Sequence, residues 1–186
     1  KDSDWYLFDP SEFPELHEKY GQGFTREYNR AKKLAKEGKV KSYKVMSAKD
    51  LWKKILTSLY ETGHPWITFK DPSNIRYSNK HEGVVHSSNL CTEILLHTKP
   101  TKYDEGEVVE VGETAVCNLA SINLENHIKV RTLDWKKLQE TVEVAIRGLD
   151  NVIDINFYPT KEAKQSNLRH RPIGLGIMGT HGMPHS

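Results

Sequence analysis

Asn89, Cys91 and Glu93 occupy alternate positions in Asn89-Leu90-Cys91-Thr92-Glu93, the strongest chemical constellation in this 186-residue chain. On an extended backbone alternate side chains project to one side, so this spacing would aim an amide, a thiol and a carboxylate together. Their chemistry is complementary. A thiol converted to a thiyl radical transfers a hydrogen atom, a carboxylate accepts a proton from a sugar hydroxyl, and an amide holds another hydroxyl by hydrogen bonding. Local sequence leaves a second reading open, in which Cys91 is small apolar packing beside a strand.

Cys117 follows the strand-like approach Gly112-Glu113-Thr114-Ala115-Val116 and begins Cys117-Asn118-Leu119-Ala120-Ser121-Ile122-Asn123. It fits either one half of an electron-exchanging dithiol or another packed cysteine. Direct pairing with Cys91 is disfavoured as the working redox couple, because a disulfide would remove the hydrogen donor that radical chemistry needs. His86, Cys91, His97 and Cys117 are ligand types for zinc. They lack both a Cys-x-x-Cys clamp and a helical His-x-x-x-His pair, so no metal is expected on this segment. Gly174-Leu175-Gly176-Ile177-Met178-Gly179 partly matches a nucleotide loop, without an identifiable downstream helix or ribose carboxylate, which argues against a dinucleotide fold.

The elements that must position these residues alternate between helix and strand. Leu7-Phe8-Asp9-Pro10 and Phe13-Pro14-Glu15-Leu16 read as a turn feeding a short helix. Phe24, Tyr28, Ala31 and Ala35 recur at helical spacing until Gly38. Ser47 and Asp50 stand at capping-box positions before the stripe Leu51, Ile55 and Leu59, which ends near Gly63. Pro65–Phe69 is expected to be a short buried strand closed by Asp71-Pro72-Ser73-Asn74. Cys91–Leu96 is a second strand candidate and Thr114–Val116 enters a third, with a loop or hairpin over Lys99–Gly112. From Asp134 the pattern is helical through Leu138, Val142, Ala145, Ile146, Leu149 and Ile153 until Pro159, and Pro172–Gly179 reads as a final strand. An α/β barrel or open sheet covered by helices follows.

Composition restricts the function classes. Hydrophobic residues make up 37% and charged residues 28%, polar for a globular domain but too apolar for generic disorder. The apolar runs are too short to cross a bilayer, so no membrane partner is expected. The opening Lys1-Asp2-Ser3-Asp4-Trp5 lacks the order of a secretion signal, and two cysteines do not make a disulfide framework, which together favour a reducing, cytoplasmic setting. The formal charge of +2 hides a basic interval in which ten Lys and Arg between Arg30 and Lys54 face only Glu37 and Asp50. Aromatic residues do not interleave with those charges, so the interval reads as solvated surface and no nucleic acid is expected.

Taken together, LFDPSEFPELHEKY (7–20), TGHPWITFKD (62–71), SNLCTEI (88–94), AVCNLASINL (115–124), LDNVIDINFYP (149–159) and HRPIGLGIMG (170–179) resemble the large, catalytic subunit of class I ribonucleotide reductases. The resemblance implies a partial ten-stranded α/β barrel, with Cys91 at the tip of a finger loop inside it. It implies that the Cys91 thiyl radical abstracts the ribose 3′ hydrogen, that Glu93 removes the 3′ hydroxyl proton and that Asn89 orients a hydroxyl. Ser88, Asn89 and Glu93 would contact substrate, and Cys117 matches one member of the reducing dithiol.

The same resemblance implies a ribonucleoside diphosphate substrate, a small metal-containing subunit that supplies the radical, and a thioredoxin- or glutaredoxin-like reductant. No cofactor is expected to bind this segment directly; activation by adenosylcobalamin is the alternative, and a noncatalytic assembly segment a further one. With no third cysteine, residues 1–186 read as an incomplete portion of the barrel that needs complementary portions of the large subunit. Residues 180–186, with His181, Met183 and His185, read as a flexible or junction tail.

Overall fold

The computed structural model describes residues 3–182, which divide between two compact units, Lys1–Thr98 and Lys99–Ser186. In the first unit, strand β1 (Asp4–Phe8) pairs antiparallel with β2 (Tyr43–Ser47), Tyr6 opposite Val45. Between them in sequence lie the short helix α1 (Glu15–Glu18) and the longer α2 (Gly21–Lys36). The helical stripe of α2 supplies the packing: Ala31 and Ala35 are buried, and Phe24 and Tyr28 join a ring cluster in which Trp5 stacks on Tyr28 at 4.9 Å and Phe8 meets Phe13 at 5.0 Å. Tyr28 Oη accepts from the Tyr6 amide at 2.7 Å and donates to its carbonyl at 3.3 Å, and burial holds the phenol above its ordinary pKa. Lys32, from the basic interval, lies over the Tyr6 ring at 5.1 Å, so part of that charge covers aromatic surface.

Helix α3 (Ala48–Thr62) begins as its sequence directs, with Ser47 Oγ accepting from the Asp50 amide at 3.2 Å. It ends at Gly63, whose φ of 75° supplies the left-handed residue of a C-terminal cap. Pro65–Phe69 is not a strand. Trp66 and Phe69 are exposed, and the Phe69 carbonyl accepts the first amide of helix α4 (Lys70–Arg76) from Ser73 at 3.2 Å. Asp71-Pro72-Ser73-Asn74 lies inside this helix, because a proline in the first turn forfeits no helical hydrogen bond. The Asp71 carboxylate ties α4 to the start of α2 through the Gly21 amide at 2.8 Å.

In the second unit the Lys99–Gly112 region forms the expected hairpin, β3 (Lys102–Asp104) with β4 (Glu107–Glu110). Glu105 and Gly106 both have positive φ, as a two-residue hairpin turn requires. The third strand, β5 (Asn118–Asn123), starts after Cys117 and not at Thr114. A 3-10 turn (Leu124–His127) and the small hairpin of β6 (Ile128–Lys129) and β7 (Thr132–Leu133) lead to helix α5 (Trp135–Ile155), capped by Asp134, which accepts from the Lys137 amide at 3.0 Å. Helix α6 (Lys161–His170) occupies the connection that sequence left as polar. Strand β8 (Ile173–Met178) then returns parallel to β5, with Leu119 opposite Gly174. The chain between these parallel strands contains the crossover helices that such pairing demands, and α5 buries Leu149 and Ile153. The architecture is mixed α/β built from small two-stranded sheets. Residues 180–182 of the expected tail form a turn, and 183–186, with Met183 and His185, lie outside the described residues.

Candidate active site

Cys91 stands in a turn, not in the strand expected over Cys91–Leu96. The Thr92 amide donates to the Asn89 carbonyl at 3.2 Å, and Thr92 adopts a φ of 65°. That conformation is rare for a β-branched residue and stores backbone strain of about 1–3 kcal/mol. Asn89 holds the turn closed. Its amide donates to the Ile94 carbonyl at 3.4 Å, its Oδ1 accepts from the Ile94 amide at 3.1 Å, and its Nδ2 donates to Glu93 Oε1 at 2.6 Å.

The alternating spacing therefore acts differently from an extended strand. Asn89 and Glu93 come together because the chain reverses between them, and Leu90 and Cys91 are carried outward at the tip, both exposed. Ser88 Oγ donates to the Asn89 carbonyl at 3.1 Å, so Ser88 and Glu93 both bond to Asn89, one at its main chain and the other at its side chain. An exposed thiol beside a carboxylate whose position is set by an amide can meet a molecule that approaches the tip. A packed, inert cysteine would be enclosed, and Cys91 is not.

Two buried polar groups beneath the loop were not legible as site residues. Asn74, on α4, is 2% exposed; its Nδ2 donates to the carbonyls of Lys70 and Val85, both at 2.9 Å, and its Oδ1 accepts from the Val85 amide at 2.8 Å. Tyr77 Oη lies 2.8 Å from His97 Nδ1 and accepts from the His97 amide at 3.4 Å, with both residues buried. His86, weighed as a metal ligand, sits 2.9 Å from Glu18 Oε1 through Nε2 and 3.4 Å from Thr98 Oγ1 through Nδ1. Hydrogen bonding within the protein thus accounts for His86.

Cys117 belongs to the second unit, half-buried one residue before β5. Gly174 of β8 lies against it: a Cβ there would stand 3.9 Å from Cys117 Sγ and 2.6 Å from Leu119 Cδ2. The glycine-rich run is thus a close-packing device along β8. Gly176 similarly faces Ser121, and Gly179 has a φ of 80°. Around this sheet neutral and ionic ties are combined: Asn118 Nδ2 donates to Asn167 Oδ1 and to the Pro172 carbonyl, both at 3.3 Å. Glu113, 1% exposed, accepts from Arg169 Nη1 at 2.7 Å and lies 2.8 Å from His170 Nε2. Arg171 donates to Asp150 Oδ1 at 2.7 Å and to Asp154 Oδ1 at 2.8 Å, and its hydrogen bond holds the Asp154 carboxyl below the usual range.

The family described as “Ribonucleotide reductase, barrel domain” matches residues 1–185. The chain belongs to this family. Among its relatives, a ribonucleoside-diphosphate reductase subunit alpha from Chlamydia muridarum is 55% identical over 175 residues, covering 94% of this chain and 16% of the relative. The corresponding subunit alpha from Helicobacter pylori is 39% identical across 96% of this chain and 27% of its own length. A ribonucleoside-diphosphate reductase large subunit from Caenorhabditis elegans is 41% identical across 96% of this chain and 21% of its length. This reductase barrel-domain sequence therefore spans a sixth to about a quarter of these relatives. Among the described residues, no helix is long and apolar enough to cross a membrane.

Proposed function

We propose that this chain is a segment of a ribonucleoside-diphosphate reductase alpha subunit that contributes its radical-bearing cysteine, Cys91, and the acid–base group Glu93. The observation that carries this reading is the turn at Asn89–Thr92, which holds Glu93 against Asn89 and leaves the Cys91 thiol exposed at its tip. A hydrogen-atom donor must reach a substrate carbon, and a thiol at a constrained loop tip is built to reach.

In the proposed reaction the Cys91 thiyl radical removes the ribose 3′ hydrogen, becoming a thiol and leaving a carbon radical. Glu93 takes the 3′ hydroxyl proton and returns it to the 3′ oxygen once the sugar is reduced, and the 2′ hydroxyl leaves as water after gaining a proton from a dithiol, whose other hydrogen goes to C2′. That dithiol supplies two electrons and two protons and becomes a disulfide; Cys117 is one of its sulfurs, and the second comes from outside this chain, which has two cysteines. Cys91 finally returns its hydrogen to C3′, regenerating the radical. Ser88 and Asn89 hold the sugar hydroxyls while the reacting atoms are kept in register.

The parallel pair β5–β8 supports a place for this chain in a ten-stranded barrel. Leu119, Ile177 and Met178 are exposed on those strands, whereas parallel sheets ordinarily have both faces covered. The relatives' names specify an alpha or large subunit, which favours a separate small subunit as radical source over direct activation by adenosylcobalamin. A thioredoxin- or glutaredoxin-like protein would regenerate the dithiol in a reducing cytoplasm. Replacing Cys91 with Ser in the assembled reductase tests the reading: deoxynucleotide formation should fall to background with assembly intact, and normal turnover would overturn it.

A further inference from the structure

The loop that carries Asn89, Cys91 and Glu93 leaves and rejoins the unit through two buried residues, Val85 and His97. Both are held by the same short helix. Asn74, within α4, pairs its carboxamide with the main chain of Val85, accepting from its N–H at 2.8 Å and donating to its carbonyl at 2.9 Å. Tyr77, three residues later at the C-terminal cap, places its hydroxyl 2.8 Å from His97 Nδ1 and 3.4 Å from the His97 amide nitrogen. The two legs also touch each other: a Cβ on Gly83 would come within 3.1 Å of His97 Cδ2, and His86 Nδ1 lies 3.4 Å from Thr98 Oγ1.

We propose that Asn74 and Tyr77 form a clasp that fixes the two feet of the finger loop on α4, so that they act as positioning residues for Cys91 and Glu93. The proposal rests on the reading of Cys91 and Glu93 as the reacting groups. Its physical basis is that no residue between the feet is buried and that, beyond the Asn89 turn and the His86–Glu18 contact next to one foot, the span takes its placement from the buried ends. Asn74 is suited to that task because one carboxamide satisfies both the N–H and the C=O of a buried residue, polar groups that would otherwise be costly to enclose. Tyr77 does the equivalent for the other foot through a single hydroxyl. A displacement of about 1 Å at a reacting atom costs about a hundredfold in rate, so loosening either foot should act on turnover more than on binding.

Tyr77→Phe and Asn74→Leu test this in the assembled reductase, with amide hydrogen exchange and steady-state kinetics measured on the same preparations. Tyr77→Phe retains the ring and removes only the hydroxyl, so it remains informative if Asn74→Leu prevents folding. The expected result for Tyr77→Phe is exchange about tenfold faster across residues 85–97, little change in α2, kcat lowered at least about tenfold and KM within about twofold. Unchanged exchange over 85–97, exchange raised evenly through the unit, or faster loop exchange with unchanged kcat would each overturn the clasp. Exchange is read without turnover. A Cys91→Ser reductase that kept full activity would therefore defeat the catalytic reading by itself, without being mistaken for failure of the clasp.

Discussion

The unit that carries Cys91 and the β5–β8 unit hold their cysteines in different settings. Cys91 stands outside regular secondary structure, at an exposed turn closed by the Asn89 amide on main chain and on the Glu93 carboxylate, with amide and hydroxyl groups at the ends of its loop. Cys117 stands at the entrance to a parallel strand pair, packed beside a glycine, with ionic ties close by in the same unit. In the proposed reaction the Cys91 sulfur must approach a sugar carbon, which needs reach and fine placement, and short-range hydrogen bonds of Asn89 to main chain and to the Glu93 carboxylate give direction. In the same proposed reaction Cys117 would exchange electrons through a disulfide, which needs a stable platform, and a sheet edge supplies one.

The sharpest way to break this contrast is at Glu93. Glu93→Gln should lower kcat of the assembled reductase by about a hundredfold to ten-thousandfold with substrate binding retained. Equal turnover at saturating substrate would leave the turn without its acid–base role. In the second unit the corresponding weak point is buried charge. Glu113→Gln removes the carboxylate that meets Arg169 and His170, and should destabilise the chain by about 2 kcal/mol in urea unfolding.

A steric change should follow at a similar or slightly smaller scale. A Cβ on Gly112 would fall on the Lys99 carbonyl oxygen and stand 2.5 Å from the Thr101 amide nitrogen, so Gly112→Ala must displace backbone. The expected cost is about 1–3 kcal/mol, read as a lower urea midpoint with hydrogen exchange accelerated around the Lys99–Glu113 bridge. The smallest effect concerns Asp154, whose folded pKa lies below its ordinary value of 3.8 because Arg171 donates to it. Its stabilisation is complete above the unfolded value and disappears as pH falls through the lower folded one. Asp154→Asn should accordingly be slightly less stable than the parent at neutral pH and equal to it in strong acid, in paired urea titrations.

Helical parts of both units were legible because their apolar residues repeat with the helical period. Phe24 to Ala35 and Leu138 to Ile153 declare their elements, and Ser47, Asp134 and Gly63 mark ends by capping chemistry. Short apolar runs were not: Pro65–Phe69 has strand-forming residues but no strand partner among the described residues, and periodicity cannot supply one. The pairing of β1 with β2 joins segments more than thirty residues apart, and no local signal records it.

Asn89, Cys91, Glu93 and Cys117 stand out in the sequence as candidates, and their structural setting was not legible there. A β-branched residue at positive φ, as at Thr92, is improbable from local preferences and arises because the hydrogen bonds of Asn89 close the turn. Asn74 looked like a turn former because proline and serine precede it; its buried partner Val85 lies eleven residues ahead. The clasp is thus a tertiary feature built from residues that, read singly, suggest loops.

The account depends most on whether the Cys91 sulfur reaches the sugar, and a structure of the assembled reductase with a ribonucleoside diphosphate bound measures that distance. Cys91 Sγ should lie about 3–3.5 Å from the ribose C3′, with a Glu93 carboxylate oxygen within hydrogen-bond reach of the 3′ hydroxyl. A bound, competent substrate whose C3′ stays far from Cys91, with Glu93 turned away from the hydroxyl, would contradict it.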